Sequence, residues 1–154
     1  MRKLLLLLPL LAFVGCSVTV KKNDNPVLTV EGGKIQGVIA DDYSDVFVYR
    51  GIPYAAAPIG ELRWKEPQPV VAWDSVRICD KFGHPGYQAV HYPGFYASEW
   101  GYGDEAPYSE DCLYLNVWTK APAQVDKKLP VALWIHGGGY REGWGSEPEF
   151  DGQE

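Results

Sequence analysis

The sequence predicts an α/β fold, in which antiparallel strands lead into a mostly parallel sheet, and three stretches carry that expectation. Val131-Ala132-Leu133-Trp134-Ile135 is an unbroken apolar run with Pro130 before it and glycines after it. A run this short, so bounded, reads as a strand buried on both faces, the kind found inside a parallel sheet. Earlier, Leu28-Thr29-Val30 and the segment Ile35 to Ala40 flank Glu31-Gly32-Gly33-Lys34, which is a hairpin signal, and Val46-Phe47-Val48-Tyr49 supplies a third strand. Third, His136-Gly137-Gly138-Gly139-Tyr140 stands directly past the apolar run. In open α/β sheets the crevice beyond a strand's carboxyl end is where ligand binds.

The chain begins Met1-Arg2-Lys3 and continues apolar from Leu4 to Val14. That run is too short to span a bilayer and has the charge and length of a signal peptide, assigned to residues 1–15. Its end, Phe13-Val14-Gly15-Cys16, resembles a lipobox, in which small residues precede a cysteine that becomes the lipidated first residue. Phe13 departs from the usual Leu, so simple secretion is the alternative. Several acyl chains on Cys16 would anchor the protein stably. Residues 16–26 then form a polar tether.

Arg50 to Trp64 is rich in Pro and Gly and has no usable period, which predicts a loop wrapping the surface with fixed turns. With Cys16 assigned to lipid, Cys79 and Cys112 remain as an even pair in an exported chain, and a disulfide is the expected state, with two free buried thiols as the alternative. Closing a loop of about 34 residues would stabilise the fold by roughly 3 to 4 kcal/mol. Between the cysteines lie Tyr87, Tyr92, Phe95, Tyr96, Trp100, Tyr102 and Tyr108 without regular spacing. Two readings stand for these rings: they line a cleft for an apolar or aromatic substrate part, or they fill a core. His84 and His91 lack metal-ligand spacing and read as ordinary polar loop residues. Glu110-Asp111-Cys112-Leu113-Tyr114-Leu115-Asn116-Val117-Trp118 begins acidic and turns into a strand. A polar connection then leads to the apolar run, as an antiparallel pair or a crossover.

The glycines after that run leave bare N–H groups, with no Cβ in a substrate's path. Such donors, aimed at one point, stabilise the oxyanion of an acyl-transfer intermediate; the alternative reading is a flexible glycine turn. The dinucleotide fingerprint fails on spacing, because Glu142 stands where the last Gly of G-x-G-x-x-G is needed, and no Walker Lys follows. A formal net charge of −6 without clustered Lys or Arg argues against a nucleic-acid partner.

Taken together, Arg50-Gly51-Ile52-Pro53-Tyr54-Ala55 with Gly60-Glu61-Leu62-Arg63-Trp64, then Glu110-Asp111-Cys112-Leu113-Tyr114-Leu115-Asn116, then His136-Gly137-Gly138-Gly139-Tyr140 with Gly145-Ser146 and Phe150-Asp151-Gly152, resemble the amino-terminal third of a type B carboxylesterase. The resemblance runs from about Val27 to the last residue. It implies the amino-terminal part of an α/β-hydrolase fold over residues 27–154, truncated before the nucleophile elbow. It implies that Gly138 and Gly139 form part of the oxyanion hole within the loop that starts His136-Gly137. It matches Cys79 and Cys112 to the first disulfide, Arg63 and Glu110 to a structural ion pair, and the loop between the cysteines to the lip of the active-site gorge. The nucleophile of such enzymes sits in Gly-x-Ser-x-Gly, which does not occur in these 154 residues: Ser146 has Trp144 before it and Pro148 after. His136 belongs to the hole's loop and is not the catalytic base. The activity implied is hydrolysis of a small-molecule carboxylic ester by a serine nucleophile and an acyl-enzyme, without cofactor or metal, in the complete protein, with this piece alone inactive. The alternative is a non-catalytic binding or adhesion protein of the same family. The expected location is a bacterial membrane, through lipid on Cys16, with secreted or periplasmic as the alternative.

Overall fold

The computed structural model describes residues 27–40, 46–88, 107–120, 128–147, 150 and 152. The signal segment, Cys16 and its tether, His91, Tyr92, Phe95, Tyr96, Trp100 and Tyr102 lie outside the described residues.

The described residues form two three-stranded sheets. β1 (Val27–Val30) and β2 (Gly33–Gln36) make the expected antiparallel hairpin, with Val30 opposite Gly33 across the two-residue turn Glu31-Gly32. Gly33 has φ +146, and Trp73 covers the turn. A Cβ on Gly32 would fall 2.2 Å from the Trp73 ring, and one on Gly33 would fall 2.7 Å from the Trp73 carbonyl oxygen. The indole N–H donates to Lys34 O at 2.8 Å, so the hairpin glycines serve a close approach as well as a turn. On the other edge β2 pairs in parallel with β5 (Val76–Ile78), a strand too short to show a period in sequence.

The second sheet joins β3 (Val38–Ile39), β4 (Val46–Pro53) and β6 (Tyr114–Lys120), all antiparallel. Here the expected loop from Arg50 onward is corrected, because β4 continues through Arg50-Gly51 to Pro53. The register shifts between Tyr49 and Ile52: Tyr49 faces Val117 and Ile52 faces Leu115, leaving Arg50 and Gly51 opposite Asn116. This is a β-bulge, and it explains why the segment looks like a loop in sequence. Gly51 has φ +69, and a Cβ there would lie 2.5 Å from Lys81 O. Its N–H, displaced from the ladder, donates to the Asn116 side-chain oxygen at 2.9 Å. Beyond the strand, Gly60–Leu62 forms a single 3-10 turn.

Core and inter-sheet contact coincide. Ile35, Phe47, Tyr49, Ile52 and Cys79 form the buried cluster, with Leu28, Val30, Ile39 and Trp73 packed against it. Cys79 ties the sheets together through its backbone, donating to Gln36 O and accepting from Arg50 N, both at 2.8 Å.

The apolar run also departs from its expected state. Residues 128–137 pair with no strand, and Val131, Leu133, Trp134 and Ile135 are 90, 82, 65 and 78 % exposed. A strand inside a parallel sheet takes its hydrogen bonds from neighbours on both edges and its burial from layers on both faces. The described residues supply neither.

Candidate active site

The glycine loop opens with His136, whose Nδ1 lies 2.9 Å from Gly137 O. A carbonyl only accepts, so Nδ1 carries the proton and the ring is tied to its own loop. Gly138 O accepts from Arg141 N at 3.0 Å, closing a four-residue turn over Gly138-Gly139-Tyr140-Arg141. Its two central residues, Gly139 and Tyr140, have φ of +60 and +62. Positive φ at both central positions is the type I′ signature, which demands Gly, Asn or Asp. Tyr140 is none of these, and such a conformation for a bulky residue costs on the order of 1 to 3 kcal/mol. Its ring stands fully exposed at the tip.

The glycines differ from one another. Gly138 has φ +104, and a Cβ on it would lie 1.9 Å from Glu142 O. No substitution fits there without moving backbone. A Cβ on Gly137 or Gly139 would meet nothing within 4 Å among the described residues. Gly138 is engaged through its carbonyl, and among the described residues no backbone hydrogen bond uses the N–H of Gly138 or Gly139. An oxyanion site requires N–H donors that the backbone itself does not use.

Three side chains from separate segments hold the loop that follows. Asn116, opposite the bulge, donates to Gly145 O at 3.3 Å, linking β6 to the loop. Glu147 is buried, and its Oε1 accepts from Trp144 N at 3.0 Å. Gln88 accepts from Gly143 N at 2.6 Å. None of the three has a role in the sequence reading above. Asn116 sits within the Glu-Asp-Cys-Leu-Tyr-Leu-Asn block, where an amide facing a Gly-containing strand is a usable signal. Gln88 and Glu147 carry none.

Arg63 Nε meets Glu110 Oε1 at 2.5 Å, joining the Gly60–Leu62 turn to the acidic block. The side chains are 53 and 35 % exposed, so water screens the pair. Arg63→Ala is expected to cost less than about 1 kcal/mol. A loss of several in urea titration would show a structural role larger than a surface pair can supply.

The expected bridge between Cys79 and Cys112 is absent: both are free cysteines. Cys79 is 1 % exposed at the end of β5, with its thiol 3.9 Å from Arg77 O. Cys112 faces Gly86 instead. A Cβ on Gly86 would lie 3.9 Å from Cys112 Cβ, close to disulfide spacing, but glycine has no sulfur to offer. Parity counts cysteines and says nothing of their separation. Burial pushes both thiols above their ordinary range, with Asp111 and then Glu110 adding to the effect at Cys112, and burial does the same for Tyr49, Tyr54 and Tyr114. For acids raised in the folded state the neutral form is favoured by folding, so their contribution is complete below the unfolded values and is lost as pH rises through the folded ones. The melting temperature is therefore expected to fall above about pH 9, where thiols and then phenols titrate. A flat profile from pH 8 to 11 would contradict it.

In the aromatic segment, Tyr87 and Tyr108 pack with centroids 6.4 Å apart, and Tyr87 is 74 % exposed. His84 Nδ1 lies 2.9 Å from Pro107 O, which ties the two described ends of the segment, as suits a polar loop residue. No group of three or more His, Cys, Asp or Glu side chains is placed to hold a metal among the described residues.

The model of the carboxylesterase family matches residues 24–154. The chain belongs to the carboxylesterase family. It is 37 % identical over 130 residues to a mouse cholinesterase, covering 82 % of this chain and 21 % of that protein. A Danio rerio acetylcholinesterase is 37 % identical over 155 residues (97 and 24 %), and the phenmedipham hydrolase of Pseudarthrobacter oxydans is 38 % identical over 125 residues (81 and 24 %). Among solved structures a PNB esterase superposes with TM-score 0.67 at 38 % identity, over 83 % of this chain and 24 % of that one. A thermophilic PNB esterase gives 0.67 at 36 %, with the same coverage. The fold is thus the amino-terminal part of an α/β-hydrolase, and the chain spans less than a quarter of the length of these relatives.

Proposed function

We propose that this chain is the amino-terminal part of a serine esterase that hydrolyses small-molecule carboxylic esters. In that reaction a serine from a later segment attacks the carbonyl carbon. The carbonyl oxygen takes the electron pair as an oxyanion, the alcohol leaves, and water releases the acyl group from the enzyme. Gly138 and Gly139 donate to the oxyanion, beside a third N–H from the residue after the serine. The observation that carries this reading is the exposed glycine turn, in which neither N–H enters a backbone hydrogen bond among the described residues, in a chain of this family. Residues 1–15 serve as a lipoprotein signal, Cys16 carries the lipid, and 16–26 tether the domain to the membrane.

The test is labelling of the full-length protein with a fluorophosphonate, followed by peptide mass mapping. One adduct per chain, on a serine, is expected. A folded protein that takes no label would instead support the non-catalytic binding reading. For the anchor, labelled palmitate should enter the native protein and not Cys16→Ala, and equal incorporation would refute it.

A further inference from the structure

The backbone behind the glycine turn is held by one side chain from a distant segment. Gln88 Oε1 accepts from Gly143 N at 2.6 Å, while its Nε2 donates to Gly143 O at 3.4 Å and to Gly86 O at 3.1 Å. These contacts fix the carboxamide's orientation, since a flipped amide would set its NH₂ against the Gly143 N–H and its oxygen against two carbonyls. The peptide unit joining Glu142 to Gly143 is therefore constrained at both ends. Its N–H is bound by Gln88, and its carbonyl is the wall against which Gly138 rests, where even a Cβ would fall at 1.9 Å. Gly143 itself has φ +97, and a Cβ there would meet His136 Nδ1 at 2.7 Å and Gly137 O at 3.0 Å. The amino-terminal end of the glycine loop thus packs on the residue that Gln88 holds, and Gly138 packs on the carbonyl of the same peptide unit.

We infer that Gln88 is a positioning residue for the oxyanion loop, a role that rests on the ester-hydrolase reading above. It acts through the Glu142–Gly143 peptide and does not touch substrate. Without the carboxamide that peptide loses the partner of its N–H, its carbonyl shifts against Gly138, and the two glycine N–H groups shift with it. Displacements of about 1 Å in such groups cost up to roughly 100-fold in rate.

The experiment compares Gln88→Ala and the near-isosteric Gln88→Glu in the full-length protein, by steady-state hydrolysis of p-nitrophenyl acetate and by inhibition with a trifluoromethyl ketone, whose serine adduct bears an oxyanion. Gln88→Glu keeps the acceptor for Gly143 N–H and loses both donors, so it carries the test should the alanine variant fail to fold. The expected result is kcat lower by roughly 10- to 100-fold, KM within about 3-fold, and an inhibition constant that rises in parallel with the loss in kcat. Unchanged kcat in a folded variant, or a raised KM at unchanged kcat, overturns the positioning role. Gly138→Val separates the two claims: if it abolishes turnover while the Gln88 variants retain it, only the role of Gln88 falls. If Gly138→Val is also fully active, the oxyanion reading falls with it.

Discussion

Gly138→Val in the full-length protein is expected to lower ester turnover roughly 100- to 1000-fold, about 3 to 4 kcal/mol of barrier, the cost of one oxyanion donor. The new Cβ would lie 1.9 Å from Glu142 O at a φ of +104, so the turn has to open and its N–H has to swing away. Gly139→Ala is the matched control. Space beside Gly139 is open, and only the left-handed conformation at φ +60 opposes a side chain there, at roughly 1 to 2 kcal/mol. The control is expected to lose far less activity. Thermal unfolding should separate the two effects, because the loop is exposed and the core lies elsewhere. Similar losses in both variants would contradict the role given to the close contact between Gly138 and Glu142 O.

Phe47→Ala is expected to give the largest loss of stability, about 3 to 5 kcal/mol. Phe47 is 4 % exposed in a cluster that, among the described residues, it shares with Ile35, Tyr49, Ile52 and Cys79. It lies on β4, the strand that pairs with both β3 and β6, so a cavity there weakens the sheet that carries Asn116. Against a typical total of about 5 to 15 kcal/mol, that loss is large. Leu115→Ala on β6, 40 % exposed, should cost clearly less. Urea titration of the two variants gives the comparison, and equal midpoints would mean that the core has been misplaced.

What was legible in the sequence follows from how local each interaction is. The hairpin at Glu31-Gly32 could be read because turn residues and flanking strands lie within ten positions of one another. The continuation of β4 could not, because a bulge uses the same Gly-containing chemistry as a loop, and Pro53 sits harmlessly at the strand's last position. Residues 131–135 were legible as apolar, but pairing is a property of neighbours and not of the run itself. Cys79 and Cys112 stand as free cysteines in the structure, and a count of cysteines carries no information on their separation in space. For the site, the glycines announced themselves by composition. Gln88 and Gly143 are 55 positions apart, and nothing in either segment's local pattern anticipates their contact.

The measurement that bears most directly on the central claim is the hydrolysis of p-nitrophenyl acetate by the full-length protein, followed from the first turnover. Saturable release of p-nitrophenol is expected, with a burst of up to one equivalent per chain where deacylation is the slower step. A folded protein that releases p-nitrophenol no faster than buffer would contradict the assignment of Gly138 and Gly139 to an oxyanion hole.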